Sequence, residues 1–155
     1  MTGPVRDRWP DLAGRMEADA RGRFHVLPLR VYFEDTDFSG IVYHASYIRW
    51  CERGRTDFLR HSGNDHRSLL EGADGREAAA FMVRRMQIEF LKPARIDEIL
   101  EVQTRIGEVG AATLELHQAI VRGPATLFEA KVLVVLVSTA GKPLRIGPRL
   151  RASLA

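Results

Sequence analysis

One long helix beside a mostly antiparallel sheet, an α+β domain, is the architecture this 155-residue chain predicts. Three observations predict it. An apolar stripe of helical period runs from about His44 to Arg60. Nearly all apolar residues after Ala78 fall into strand-like runs. Short Gly-containing turns join those runs, and strands joined by short turns must pair antiparallel.

Taken in order, residues 1–22 are polar, carry Pro4 and Pro10, and read as a tail with a short helix near Asp11–Ala20. The single ordered domain is assigned to residues 23–155. Leu27 to Phe33 reads as its first strand, with Pro28 marking an edge position or a strand start. Asp35–Gly40 reads as a turn of small and acidic residues. In the helix that follows, Tyr47, Cys51, Gly54 and Phe58 form the stripe, widened by Ile48 and Leu59. Gly54 costs such a helix about 1 kcal/mol relative to alanine, so its place on the stripe predicts a backbone lying close against something flat. Ser62-Gly63-Asn64-Asp65 stops the helix. Residues 66–77 read as a short helical turn or loop ending in Gly72 and Gly75.

Everything after Ala78 reads as strand. Phe81 and Val83 share one phase and Met86, Ile88 and Phe90 the other, which predicts a bulge near Arg84–Arg85. Leu100–Ile106 alternates cleanly, Leu114, Leu116 and Ile120 share a face, and Phe128–Val137 is apolar enough for a central strand. A single helix covers only one face of such a sheet. The other face, or an edge, calls for a second subunit, and a symmetric dimer is the simplest arrangement.

Composition narrows the function. Apolar residues at 45% and charged residues at 28% describe an ordinary globular chain. No run approaches the ~20 apolar residues of a membrane span. The first 25 residues lack a secretory apolar stretch, and Cys51 is the only cysteine, so the cytoplasm is the expected compartment. The net charge of +3 comes from arginines scattered among acids, an arrangement that argues against a nucleic-acid partner. Phosphates on a small ligand are easier to accommodate.

The stretch from Val31 to Tyr47 carries the chemistry. It sets Asp35, Asp37, Gly40 and His44 at the junction of a strand and a helix N-terminus. First-turn amides lack partners and, with the positive end of the helix dipole, suit an anion or a developing oxyanion. A carboxylate in the preceding loop could attack a carbonyl polarised there, or deprotonate water to attack it. Both Asp35 and Asp37 could equally be turn residues satisfying local amides. A calcium loop also fits Asp35, Asp37, Ser39 and Gly40, but the last ligand position holds Ser46 where a bidentate Glu is needed, and the upstream segment is a strand.

Asp35-Thr-Asp-Phe-Ser-Gly-Ile-Val-Tyr-His-Ala-Ser-Tyr47, followed by Glu52-Arg-Gly-Arg-Thr-Asp-Phe-Leu-Arg60, resembles the hotdog thioesterases of the 4-hydroxybenzoyl-CoA thioesterase family. The nearest branch is the acyl-CoA thioesterase associated with the bacterial Tol–Pal system. The likeness runs from about His25 to Leu150 and includes Phe90-Leu-Lys-Pro-Ala-Arg95. It implies a curved, mostly antiparallel five-stranded sheet wrapped round a long central helix, paired into dimers and commonly tetramers. It implies acyl-CoA hydrolysis with no cofactor, CoA being part of the substrate. Asp37 matches the family's catalytic carboxylate and the His44 amide the donor to the thioester carbonyl. Gly40, Val42, Tyr43 and Tyr47 are then expected at the substrate.

Simpler roles stand beside these. Asp35 keeps the turn reading, and Ser46 is expected to cap the helix. Cys51, on the buried stripe, is expected to be an inert core thiol. Glu52 and Asp57 are placed on a solvated face among arginines, although relatives that draw their carboxylate from the long helix make Glu52 the alternative base. His25, His61, His66 and His117 show no metal-ligand spacing, so no metal is expected. For the CoA phosphates, Arg84, Arg85, Lys92 and Arg95 are candidates. Some hydroxybenzoyl-CoA relatives place a basic cluster where this chain has Gly107-Glu-Val-Gly-Ala-Ala112, which separates this chain from their mode of phosphate binding. Acyl specificity is expected to depend on Phe38, Tyr47, Trp50, Phe81 and Met82. The rival functions are a thioesterase acting on acyl-carrier protein and a non-catalytic acyl-binding or scaffold protein of the envelope or phospholipid-synthesis machinery.

Overall fold

Apolar alternation in the strands and one apolar helical face produce a two-layer structure. The computed structural model describes residues 12–72 and 76–155. Most of the polar tail and Gly75 lie outside the described residues. Among the described residues there are six strands: β1 (Arg15–Asp19), β2 (Gly22–Arg30), β3 (Ala79–Phe90), β4 (Ile99–Val109), β5 (Thr113–Arg122) and β6 (Ala125–Ser138). They form one sheet in the order β1-β2-β4-β5-β6-β3, every pair antiparallel. Three helices accompany it: α1 (His44–His61), α2 (His66–Glu71) and α3 (Pro148–Leu154).

The inner face of the sheet presents Leu100 and Val102, Leu114 and Leu116, and Phe128, Val132 and Val134, all buried. Against it α1 sets Trp50, Cys51, Phe58 and Leu59. Each such side chain contributes about 1.5–3 kcal/mol by leaving water. Gly54 lets the helix come this close, as expected. A Cβ there would lie 2.8 Å from Cγ1 of Val102 and 3.2 Å from Oγ1 of Thr104. The expected bulge falls between Val83 and Arg85. Pro28 sits where β2 extends past β1, whose pairing ends at Val26, so its missing N–H breaks no ladder on that side.

Three expectations fail. Arg15–Asp19 is an edge strand rather than a helix, which makes six strands instead of five. Its turn into β2 is held by the Arg21 N–H donating to Oδ1 of Asp19 at 2.9 Å, with Gly22 at φ 112°. The cation of Arg105 on β4 also pairs with Asp19, holding its carboxyl below the usual range. The chain end is also misread. Pro148 at the first helical position after Gly147 opens α3, which buries Leu150 and Leu154.

Asp57 is the third. Expected on a solvated face, it is only 6% exposed. One of its carboxylate oxygens accepts the Gly14 N–H at 2.7 Å and lies 2.7 Å from Nε2 of the fully buried His25. Nε2 of His61 pairs with the Gly14 carbonyl at 2.8 Å. A Cβ on Gly14 would fall 2.2 Å from the Val26 carbonyl, so the segment entering β1 fits only with glycine there. His25 on β2, with Asp57 and His61 one turn apart on α1, offers three ligand atoms within 4.8 Å of one another. Here these atoms are engaged in hydrogen bonds that clasp the start of β1 to α1.

Burial pulls the His25 pKa down, outweighing the upward pull of Asp57. The folded protein therefore resists protonating His25 while the unfolded chain accepts the proton near pH ~6.5. This stability is complete above that value and is lost as pH falls through the folded-state pKa. His66, also pulled down by burial, acts in the same direction. Urea unfolding at pH 7.5 and 5.5 is expected to show a loss of up to about 1.4 kcal/mol per pH unit for each histidine below pH ~6.5. His25→Asn should remove one share of that slope, and an unchanged slope would contradict the assignment.

Candidate active site

The loop between β2 and α1 is built from local backbone pairing. Val31 is buried, donating its N–H to the Glu98 carbonyl and accepting from Asp97. A single 3-10 turn at Phe33–Asp35 follows. Oδ2 of Asp35 accepts the Tyr32 N–H at 2.8 Å, and the Asp35 carbonyl accepts the Tyr43 N–H at 2.8 Å. Asp35 therefore does turn work, tying the loop's start to the start of α1. Thr36 pairs with Val42, the Asp37 N–H donates to Ile41, and the Gly40 N–H donates to Asp37. This small hairpin carries Asp37 and needs Gly40 at φ 80°.

Asp37 is exposed. Its Oδ1 accepts both the N–H and the hydroxyl of Ser39, the former at 2.8 Å. The Ser39 hydroxyl is the larger influence and the Ser39 amide the next in holding the carboxyl below its ordinary value; the nearby charge of His44 adds to them. The site's carboxylate is thus ionised throughout the neutral range.

His44 opens α1, with Tyr43 as its N-cap residue. In the first turn the His44 and Ala45 amides have no helical acceptor and point out of the helix end. The His44 imidazole stands 4.3 Å from the Tyr43 ring and 6.3 Å from the Phe90 ring, centroid to centroid. Tyr43 and Phe90 are both about half exposed. Asp37, Gly40, Tyr43 and His44 thus share one open end of α1. Ser46 does not cap this helix: its hydroxyl reaches the Asp35 carbonyl at 3.3 Å.

Other expected site residues lie elsewhere. Tyr47 is 4% exposed, stacks on Phe128 at 5.3 Å and accepts the Ala94 N–H on its hydroxyl at 3.0 Å, so it is a core strut. Val42 is likewise buried, its N–H bonded to the Ala94 carbonyl. Lys92 and Arg95 flank the site, because Arg95 pairs with Ile41 and both are exposed. Arg84 and Arg85 are exposed at the bulge, about 17–20 Å along β3 from Phe90. Within one protomer they are not brought to Asp37. Trp50 is core, whereas Phe38 is fully exposed beside Asp37. Cys51 is buried, and burial pushes its thiol up to about 12. Glu52 stands eight residues along α1 from His44, about 12 Å away along the axis. Ser39 and Phe90 are site residues that motif reading passed over. The signal for Ser39 was available: a Ser two residues after an Asp in a turn closes a local hydrogen bond.

An ionised carboxylate set against a helix N-terminus, on a long helix packed into one antiparallel sheet, is equipment for acyl transfer. Residues 39–129 match the Thioesterase superfamily, and the chain belongs to that family. Its fold is the hotdog, with β1 as a sixth strand. The chain is 46% identical over 123 residues to the acyl-CoA thioester hydrolase YbgC of Escherichia coli O6:H1, a match covering 79% of this chain and 85% of that one. It is 36% identical over 128 residues to the acyl-CoA thioesterase YbgC of Haemophilus influenzae, covering 82% and 91%. The crystal structure of a probable thioesterase from Bartonella henselae superimposes with a TM-score of 0.77 at 44% identity, covering 80% of this chain and 99% of that one.

Ser39→Ala removes the hydroxyl that does most to hold the Asp37 carboxyl down. If ionised Asp37 is required for turnover, the acid limb of kcat/KM should move to higher pH in S39A. A superimposable acid limb in the two proteins would separate Ser39 from the titration of the site.

Proposed function

We propose that the protein hydrolyses acyl-CoA thioesters to a free acid and CoA. The reading is carried by Asp37 standing ionised beside the open N-terminus of α1, in a chain whose relatives are named acyl-CoA thioester hydrolases. The thioester carbonyl oxygen faces the His44 amide, which polarises the bond and receives the developing negative charge. Asp37 delivers the nucleophile, either its own oxygen or a water it deprotonates. The C–S bond breaks and CoA leaves as the thiolate, which takes up a proton. In the direct route a second step adds water to the acyl-aspartate. Tyr43 and Phe90 flank the acyl group, while Lys92 and Arg95 are placed to meet CoA phosphates.

Asp37→Asn keeps the shape and removes the charge. Turnover of a thioester substrate should fall by about 10²–10⁴-fold. Retained wild-type turnover in D37N would sink the assignment.

The reading includes a second copy of the chain. Among the described residues β3 bonds only β6, which leaves its other edge without a strand partner over 12 residues, with Met82, Val83 and Phe90 exposed. A long, apolar, unpaired edge is a template for strand pairing. The Phe90 end of that edge adjoins His44, so a partner paired there would border the site. Sedimentation should show a dimer or a multiple of one. A stable folded monomer would contradict it.

A further inference from the structure

We propose that Arg55 reads the far end of the acyl group, and that the preferred acyl groups end in a carboxylate. The proposal rests on the hydrolysis proposed above. Arg55 stands on α1, eleven residues past His44, about 16 Å along the helix axis. A row of side chains on the inner face of β3 joins the two places. It starts at Phe90, which faces His44 and Tyr47, and passes Ile88 and Met86. It ends at Val83 and Phe81, which with Leu116 and Val134 line a cavity of about 80 Å³. Arg55 lines the same cavity. That volume holds the end of a chain and not a whole acyl group.

The guanidinium is held in place. Its Nη1 donates to Oε1 of Gln118 at 2.9 Å. Gln118 is buried and cannot turn, because its Nε2 donates to the Cys51 carbonyl and to Oγ1 of Thr104, each at 2.9 Å. Arg55 is largely withdrawn from water, which pulls its pKa down. Yet among the described residues no carboxylate forms an ion pair with it. Glu52, exposed and lining the same cavity, acts on it only through space.

Withdrawing a cation from water with only the unbonded, exposed Glu52 to oppose its charge is costly, and an apolar side chain of similar volume would fill the space more cheaply. A carboxylate arriving from the cavity supplies the missing charge and can engage the guanidinium fork through two hydrogen bonds. A plain alkyl end would press a methyl group against it. With the acyl tail running along this row, as proposed, the CoA phosphates lie on the other side of the thioester.

The test compares matched substrates of equal chain length, an unsubstituted acyl-CoA and its ω-carboxyacyl-CoA, across a range of lengths. For the wild-type chain kcat/KM should favour the ω-carboxy member by about tenfold or more at the length that reaches from His44 to the Arg55 cavity. Arg55→Met should bring that ratio to about one or below, and Arg55→Lys should keep part of it. A wild-type preference for the unsubstituted chain at every length, or an undiminished ratio in R55M, would overturn the proposal. Should R55M fail to fold, D37N carries the test by calorimetry. Tighter binding of the ω-carboxy ligand supports the role of Arg55, and equal binding refutes it. Because that measurement needs no turnover, loss of the hydrolysis reading and loss of the Arg55 reading remain distinguishable.

Discussion

The depth at which α1 sits on the sheet governs the rest of the molecule, and Gly54 sets it. With a Cβ there the helix would have to lift off Val102 and Thr104. Lifting α1 would displace Trp50, Cys51 and Phe58 together, because all three hang from the same helical face. It would also pull the helix N-terminus away from the loop that carries Asp37. That loop has few tertiary anchors of its own. Val42 and Tyr47 both bond Ala94, and Asp35 bonds Tyr43, so the loop, the 91–95 turn and the first turn of α1 are one hydrogen-bonded unit. Site geometry is thus inherited from a packing contact ten residues away.

Two buried polar sets fix how α1 lies on that seat. On one side Gln118, fixed by Thr104, holds the Cys51 carbonyl and Arg55. On the other Asp57, paired with His25, accepts the Gly14 N–H. Such groups contribute little net stability against a well-packed apolar alternative. Their value is in forbidding neighbours. A helix slid by one turn, or rotated, would leave a buried carboxylate or amide without partners, at about 1–3 kcal/mol each. The register of the helix, and so the position of His44 against Asp37, is specified by polar groups within an otherwise apolar contact.

What could be read from the sequence follows from how far each signal reaches. The long helix, the four later strands, the bulge at Arg84–Arg85 and the close approach at Gly54 are written in spacings of a few residues, and the structure has them. β1 packs one residue, Met16, against the core, so its strand character comes from β2 across the turn and not from its own pattern. Asp57 lies three residues past Gly54, on the same helical face, but its burial is supplied by Gly14 and His25. No local pattern contains that. At the site, the motif around Asp37 and His44 picked residues that share one helix end. It could not separate Tyr43, which is open, from Tyr47, one turn on and packed against Phe128. Nor could it show that the strand carrying Arg84 and Arg85 leads away from the loop.

The exposure of Asp37 is itself informative. In water, a carboxylate beside a helix end interacts with the dipole by about 0.3–1 kcal/mol, and the first-turn amides are already hydrated. Little of the site's catalytic leverage therefore exists in the empty protein. In the proposed reaction it appears when the acyl group packs between Tyr43 and Phe90 and drives water out, because the same charge and the same amides then act in a medium that screens them less. Ser39 makes this workable by keeping Asp37 ionised while it waits, with bonds to one oxygen, Oδ1. In the proposed reaction the substrate is accordingly a structural part of the site, and binding energy gained along the acyl chain strengthens the electrostatics at the carbonyl.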